Sequence, residues 1–290
     1  MQAVAGVVVL ASLYVLLGVG YVLVYRASRV LNLAQGDLMM VGGYALFATV
    51  TTVSASPFIA VPLALAVGAA VGVLVYALLM RPMAGHPVFA AVLVTVSLGI
   101  LLRVAVVLVY TDQTRYPLPA MDLSNPPVRL PGDAAVSALD VVTVASAAAL
   151  LGGLFAFLRL SRLGIRMRAA AERPLLAAQR GIDFHALFAL SWALASFAGA
   201  LAGVLYASNV RLDPSLGILG LKAFAVALVG GLDSLGGLVA GALIVATVEV
   251  LTIRHVNPLL SDVSPFLCLL LMLLVRPWGL WGTREELERV

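Results

Sequence analysis

The chain has 290 residues, of which 62% are hydrophobic and only 11% charged, and its formal net charge is +4. Soluble domains carry about a quarter charged residues, so this composition excludes an ordinary soluble enzyme or binding domain. Apolar runs of roughly 20 residues, enough to cross ~30 Å of hydrocarbon, recur along the chain. We therefore expect an all-α, polytopic integral membrane protein in which residues 1–290 form a single transmembrane domain.

The apolar runs and their breaks predict eight or nine membrane spans. In chain order they lie near residues 4–25, 34–52, 57–80, 88–110, 138–158, 186–208, 216–231, 234–252 and 263–277. The first has no basic residue before it and no small-residue cleavage pattern, so we expect it to be retained rather than cleaved as a signal peptide. The count is uncertain at 215–252, where "GGLDSLGG" divides a long run into two short ones. Trp192, Trp278 and Trp281 are typical of anchors at the membrane interface.

Arginines are concentrated between the fifth and sixth spans. They are Arg159, Arg162, Arg166, Arg168, Arg173 and Arg180. Because loops rich in Lys and Arg stay in the cytoplasm, segment 159–185 is predicted to be cytoplasmic. The N-terminus and the proline-rich loop at about 111–137 then lie outside, and with nine spans the C-terminal tail lies inside. The basic charge thus reflects membrane orientation, and we expect no nucleic-acid partner.

Few residues could perform chemistry. Cys268 is the only cysteine, and the three histidines are far apart, so no disulfide, metal cluster or catalytic set is expected. Lys222 is the only lysine, and its surroundings do not fit the phosphate-binding loop of ATPases. We expect a transport protein rather than an enzyme, with no cofactor of its own. Any ATP that drives it must be hydrolysed by another subunit.

Two stretches of the chain are similar to each other. "LNLAQGDLMMVGG" (31–43) and "LGLKAFAVALVGG" (219–231) match at 5 of 13 positions. Transporters built from repeats often carry short or broken helices at corresponding places, with the substrate site between them. The alternative is that apolar composition alone supplies the matches.

Polar residues inside or beside apolar runs are candidates for a translocation path. They are Asn32, Gln35, Gly36, Asp37, Arg103 and Lys222. Asn32 and Gln35 have the spacing of a helix-capping pair, but the free N–H groups of a helix start could instead bind a substrate carboxylate. Asp37 and Arg103 are costly in lipid unless each faces a cavity or a partner. Lys222 is expected to extend to the membrane interface rather than to contact substrate.

The segment "RMRAAAERPLLAAQRGIDF" (166–184) is basic and favours helix. It predicts a short amphipathic helix that ends at Gly181, a plausible C-cap. Such a helix on the cytoplasmic face is suited to bind a soluble partner. The alternative is a basic loop held near anionic lipid.

This segment, followed by "FALSWALASFAGALAGVLYA", resembles the coupling loop and next span of LivH-type branched-chain amino acid permeases, the membrane subunits of ABC importers. Three further blocks agree in family order: 12–44, 220–251 and "RPWGLWG" (276–282). The resemblance implies that a cytoplasmic ATPase grips the loop. The coupling residues would then be Arg168, Ala169, Ala170, Ala171, Glu172 and Gly181.

The resemblance also implies the partners of the chain. They are two cytoplasmic ATPase subunits, a second and related permease subunit in a heterodimer, and an extracytoplasmic substrate-binding protein, all at a bacterial inner membrane. The substrate would be a branched-chain or other hydrophobic amino acid, although some similar permeases carry urea or short amides. A different class, the ion-coupled secondary transporter, would use the carboxylates of Asp37 and Glu249.

Overall fold

The fold was analysed in a computed structural model that describes residues 1–130, 134–172 and 174–283. The long helices are α1 (Gln2–Ser28), α2 (Gln35–Thr52), α3 (Pro57–Val75, continued by a π-helical turn at Tyr76–Met80), α4 (Val88–Tyr110), α6 (Ala138–Leu160), α9 (Phe184–Asn209) and α11 (Leu235–His255). The shorter helices are α5 (Pro117–Ala120), α7 (Arg162–Glu172), α8 (Pro174–Gln179), α10 (Gly217–Gly230) and α12 (Ser264–Val275). The all-α expectation is confirmed, and a helix lies at every predicted span.

Six helices in the described part of the chain are long and apolar enough to cross a membrane: α1, α3, α4, α6, α9 and α11. The molecule is therefore a multi-pass membrane protein. The α10 and α12 helices are apolar but shorter, and α2 has 18 residues. A helix of 14 residues, such as α10, is about 21 Å long and cannot cross the hydrocarbon layer alone.

Helices α1 and α9 form the centre of the bundle. In the most apolar part of each helix, 72% of α1 and 61% of α9 is buried, whereas only 22–28% of α3, α4 and α6 is buried. Glycines let the neighbours of α9 approach closely, since a Cβ at Gly72 would overlap the Trp192 carbonyl and one at Gly68 would overlap Ala200. Trp192 is consequently only 1% exposed, so its predicted role as an interface anchor is wrong.

The loop between α4 and α6 contains structure that the helical prediction missed. Two short strands, β1 (Pro127–Leu130) and β2 (Ala134–Ser137), pair antiparallel, with Val128 opposite Val136. Arg115 also pairs with Leu212, through backbone hydrogen bonds of 2.8 and 2.9 Å. Prolines prevent a long helix here, and the extended chain satisfies its backbone groups by pairing.

The basic segment forms two helices rather than one. The α7 and α8 helices are followed by Gly181, which has a φ of +72° and turns the chain toward α9 as expected of a glycine. The Asp183 side chain then caps α9 by accepting from the N–H of His185 at 2.8 Å. Arg173 and the final residues 284–290 lie outside the described part of the chain. We call the ends of α1 and α6, the start of α9 and the whole of α7 the arginine-rich end.

Candidate functional site

Helix α2 begins inside the bundle, not at its surface. The Gln35 side chain donates to the carbonyl of Ala195, which lies eleven residues into α9, roughly 17 Å from its start. Residues 29–34 reach this depth without helical structure, and Thr95 of α4 accepts from the N–H of Leu33 at 3.1 Å. No side chain caps the start of α2. Of its first N–H groups, that of Gln35 donates to the Asn32 carbonyl at 3.3 Å, and Gly36 packs against the backbone of α10.

The first turns of α2 and α10 pack against each other. A Cβ at Gly36 would overlap the backbone of Gly217 and Gly220, and one at Gly220 would overlap Gly36. The far end of α2 packs near Met121 in the loop after α4, whereas α10 ends beside the ion pair of Arg29 with Asp233. The two short helices thus start at one place and run to opposite ends of the bundle. We call this contact the junction.

An ion pair lies at the junction. Arg103 of α4 donates to Asp37 Oδ1 at 2.9 Å, and the side chains are 45% and 8% exposed respectively. Gly99 and Gly217 border the Asp37 carboxylate and leave room for it. The pair supplies the partner that each charge requires in an apolar layer. The guanidinium remains half open to the outside of this subunit.

Asn32 and Gln35 do not form the predicted capping pair. Ala34, not Asn32, precedes the first helical residue, and Asn32 donates to the Gln35 side chain at 3.0 Å. The Asn32 side-chain oxygen instead accepts from the N–H of Ala34 at 3.2 Å. The two amides therefore hold the non-helical segment in its entry to α2. Both side chains are buried.

Lys222 belongs to a second charged cluster. Its ammonium lies 2.8 Å from Glu249 Oε1 and 2.7 Å from Asp262 Oδ1. Tyr14 donates to the other Glu249 oxygen at 2.5 Å. Lys222 is 6% exposed, so it is paired inside the bundle rather than extended to the membrane interface as predicted. Neither ion-pair partner of Lys222 is one of the other path candidates.

Helix α7 divides the predicted coupling residues into two groups. Ala169 and Glu172 are exposed, whereas Ala170 is buried, and Arg168 and Ala171 line a cavity against α1. Gly181 lies beyond α8 with open space around it. Only the exposed group is available to a soluble partner without rearrangement of α7.

Sequence comparisons place these features in a known family. The family described as branched-chain amino acid transport system / permease component matches residues 3–275, most of the chain. The chain belongs to this permease family. It is 30% identical to the high-affinity branched-chain amino acid transport system permease protein LivH of Salmonella typhimurium, over 98% of this chain and 95% of that protein. It is 28% identical to the corresponding protein BraD of Pseudomonas aeruginosa, over 100% and 97% respectively. A probable LivH of Methanocaldococcus jannaschii is 27% identical over 98% and 94%.

No solved structure matches this permease. Within its described residues, no group of three or more His, Cys, Asp or Glu is placed to hold a metal ion.

Sequence reasoning missed several residues of the permease junction. Tyr21 donates to the Gly220 carbonyl at 2.8 Å, and Thr95 fixes the segment before α2. Gly217 and Gly220 form the α10 side of the contact. The small residues in "GILGL" were a usable signal, because only small side chains allow such an approach. Tyr21 and Thr95 are unremarkable in sequence and become identifiable only in the fold.

Replacing Gly36 with Ala is expected to destabilise the permease by about 1–3 kcal/mol, since the new methyl group overlaps rigid backbone of α10. Transport should fall with it. Gly152→Ala is the matched control: nothing lies within 4 Å of a Cβ there, and a helical Gly→Ala change stabilises by up to about 1 kcal/mol. Thermal unfolding in detergent measures both. Equal stability of the two variants would show that the junction is looser than described.

Lys222→Met is expected to cost about 3–5 kcal/mol, because it leaves the buried Glu249 carboxylate without its cation. Asp262→Asn should cost less than about 1 kcal/mol, since that side chain is 77% exposed. Thermal unfolding of the two variants checks the order. A larger loss for Asp262→Asn would place the essential carboxylate of the cluster at its surface.

Proposed function

We propose that the chain is a permease subunit of an ABC importer that carries branched-chain or other hydrophobic amino acids. The observation that carries this proposal is membership of the branched-chain permease family over residues 3–275. The junction supports it, because paired short helices that begin inside a bundle are a recurrent design of substrate sites in transporters. The subunit acts by providing a path, not by catalysis.

The junction has the chemistry that an amino-acid zwitterion requires. The positive end of the α2 dipole favours a carboxylate. The Asp37–Arg103 pair presents both charges within 2.9 Å of each other, and its half-exposed guanidinium can meet an anionic group. Asn32, Gln35 and Gly36 complete the path on the α2 side. Lys222 is assigned to the stability of α10 instead.

Energy and delivery come from other subunits. Two cytoplasmic ATPases would bind at the arginine-rich end and push on α7, a related second permease would complete the path, and an extracytoplasmic protein would deliver the substrate. The location is the bacterial inner membrane. ATP is bound and hydrolysed only by the partner ATPases. Closure of the ATPases would then switch the junction between outward and inward openings.

The ion-coupled alternative has less support. Its two candidate carboxylates, Asp37 and Glu249, are each paired with a side-chain cation, at 2.9 and 2.8 Å. A carboxylate that carries Na⁺ or H⁺ needs freedom to release its protein partner. No feature of the junction favours urea or short amides over amino acids.

The experiment measures uptake of labelled leucine into proteoliposomes that contain the permease, its partner permease and the ATPases. The cytoplasmic side of the permease faces the lumen, with ATP inside the vesicles and the binding protein outside. Uptake is expected only with ATP and all subunits. Labelled urea serves as the competing substrate. Uptake by the permease alone under a proton or sodium gradient would overturn the importer proposal in favour of ion coupling.

A further inference from the structure

Two arginines line one small cavity at the arginine-rich end. Arg26 belongs to the last turn of α1, and Arg168 lies on the bundle side of α7. The cavity measures about 30 Å³ and is otherwise lined mainly by apolar side chains of α1, α6 and α9. Ser191 is the remaining polar lining residue. Two positive charges therefore converge on a space with little else to stabilise them.

Neither arginine has an acidic partner among the described residues. No carboxylate in the described ranges lies within the 4.0 Å ion-pair distance of either side chain, and the buried Nε of Arg168 has no hydrogen-bond acceptor there. Two acidic residues, Asp233 and Glu172, lie near enough to Arg26 to interact with its charge. Asp233 is already bound to Arg29 at 2.9 Å, and Glu172 is exposed.

This arrangement is costly unless an anion is present. Like charges repel strongly where the local dielectric is low, and a buried N–H without an acceptor loses the full free energy of its hydration. A group with several oxygens would remove both costs, since the guanidinium fork matches phosphate geometry. The cavity is partly open but small, so it admits oxygens of such a group rather than a whole lipid head group.

We propose that Arg26 and Arg168 form a binding site for the phosphate of an anionic phospholipid. The cavity lies where the ends of α1 and α6, the start of α9 and the amphipathic α7 meet, which is where head groups are found. This position at the membrane face favours a lipid head group over a free ion. A bound head group would fasten α7 to α1. This lipid site is independent of transport and of the ATPases.

The test is thermal unfolding of the full-length permease in an uncharged detergent with phosphatidylglycerol, phosphatidylcholine or inorganic phosphate added. Phosphatidylglycerol is expected to raise the Tm of the wild type by several degrees and the other two additives by much less. The rise should fall by at least half in Arg26→Gln and in Arg168→Gln. Arg166→Gln is the control, because it removes the same charge from an exposed position of α7. It should respond like the wild type.

Two results would overturn the proposal. An equal rise in all four proteins would mean that anionic lipid acts only through general charge, and an equal rise with inorganic phosphate would assign the cavity to a free ion. If Arg168→Gln fails to fold, Arg168→Lys provides the test, because it keeps the positive charge but lacks the planar guanidinium that binds two oxygens at once. Native mass spectrometry should then show at least threefold less phosphatidylglycerol retained on Arg168→Lys than on the wild type. Equal retention also contradicts the site.

Discussion

Arg103→Gln is expected to reduce transport at least about tenfold and to destabilise the permease more than Asp37→Asn does. The reason is the unequal burial of the pair, with side chains 45% and 8% exposed. Removing the arginine leaves a buried carboxylate without a cation, which costs about 3 kcal/mol or more. Removing the carboxylate leaves a half-exposed guanidinium on a long side chain that can extend toward the membrane interface, so this loss should be the smaller of the two.

The double variant Asp37→Asn/Arg103→Gln separates structure from function. With both charges removed, its thermal stability should return to within about 1 kcal/mol of the wild type, as replacing a whole buried pair is often nearly neutral. Uptake of labelled leucine should nevertheless stay at least about tenfold low, because the charges that meet the zwitterion are missing. Normal uptake by the double variant would show that the pair serves only to hold α4 against α2.

Ala169→Arg is expected to abolish most ATPase binding, with at least about tenfold less ATPase recovered when the permease is purified from a detergent extract. Ala169 is exposed on α7, so a long charged side chain there obstructs a docking partner without disturbing the bundle. Ala170 beside it is buried, at 8% exposure, and is unsuitable because its replacement would displace α7 itself. Thermal stability of Ala169→Arg should remain that of the wild type.

Ala84→Arg is the matched control for this test. Ala84 is also exposed, in the loop between α3 and α4. Because one span separates this loop from the outer loop at 111–137, we predict that it lies on the cytoplasmic side with α7. This control adds an arginine on the same side of the membrane but away from α7. ATPase recovery should be unchanged in Ala84→Arg. Equal recovery with both variants would move the docking site away from α7.

The helices were predictable because the physics that forms them is local. A run of apolar residues of membrane length must be helical to satisfy its backbone in lipid, and a break such as "GGLDSLGG" ends it. The same break predicted that α10 is short, whereas the similarity between 31–43 and 219–231 left open whether α2 and α10 correspond. The same reasoning could not foresee β1 and β2, since pairing between strands depends on the course of a loop rather than on its composition.

The partners of the charged residues were not predictable. Asp37 and Arg103 are 66 residues apart in the chain, and nothing in either run indicates the other. Lys222 was placed wrongly because its position along a helix does not reveal that Glu249 and Asp262 lie beside it. Trp192 was misplaced for the same reason. Local sequence shows how costly a polar residue is, but only the fold shows what offsets the cost.

Helix α1 is synthesised long before it acquires some of its final neighbours. Tyr14 of α1 binds Glu249, 235 residues later, and the N–H groups of Leu280 and Trp281 fasten the end of α10 through the carbonyls of Val229 and Gly230. Most of the chain must therefore leave the ribosome before α1 is enclosed. Its apolar surface lets it remain in lipid until then. Chains that stop before Leu280 would insert into the membrane yet lack a fastened α10.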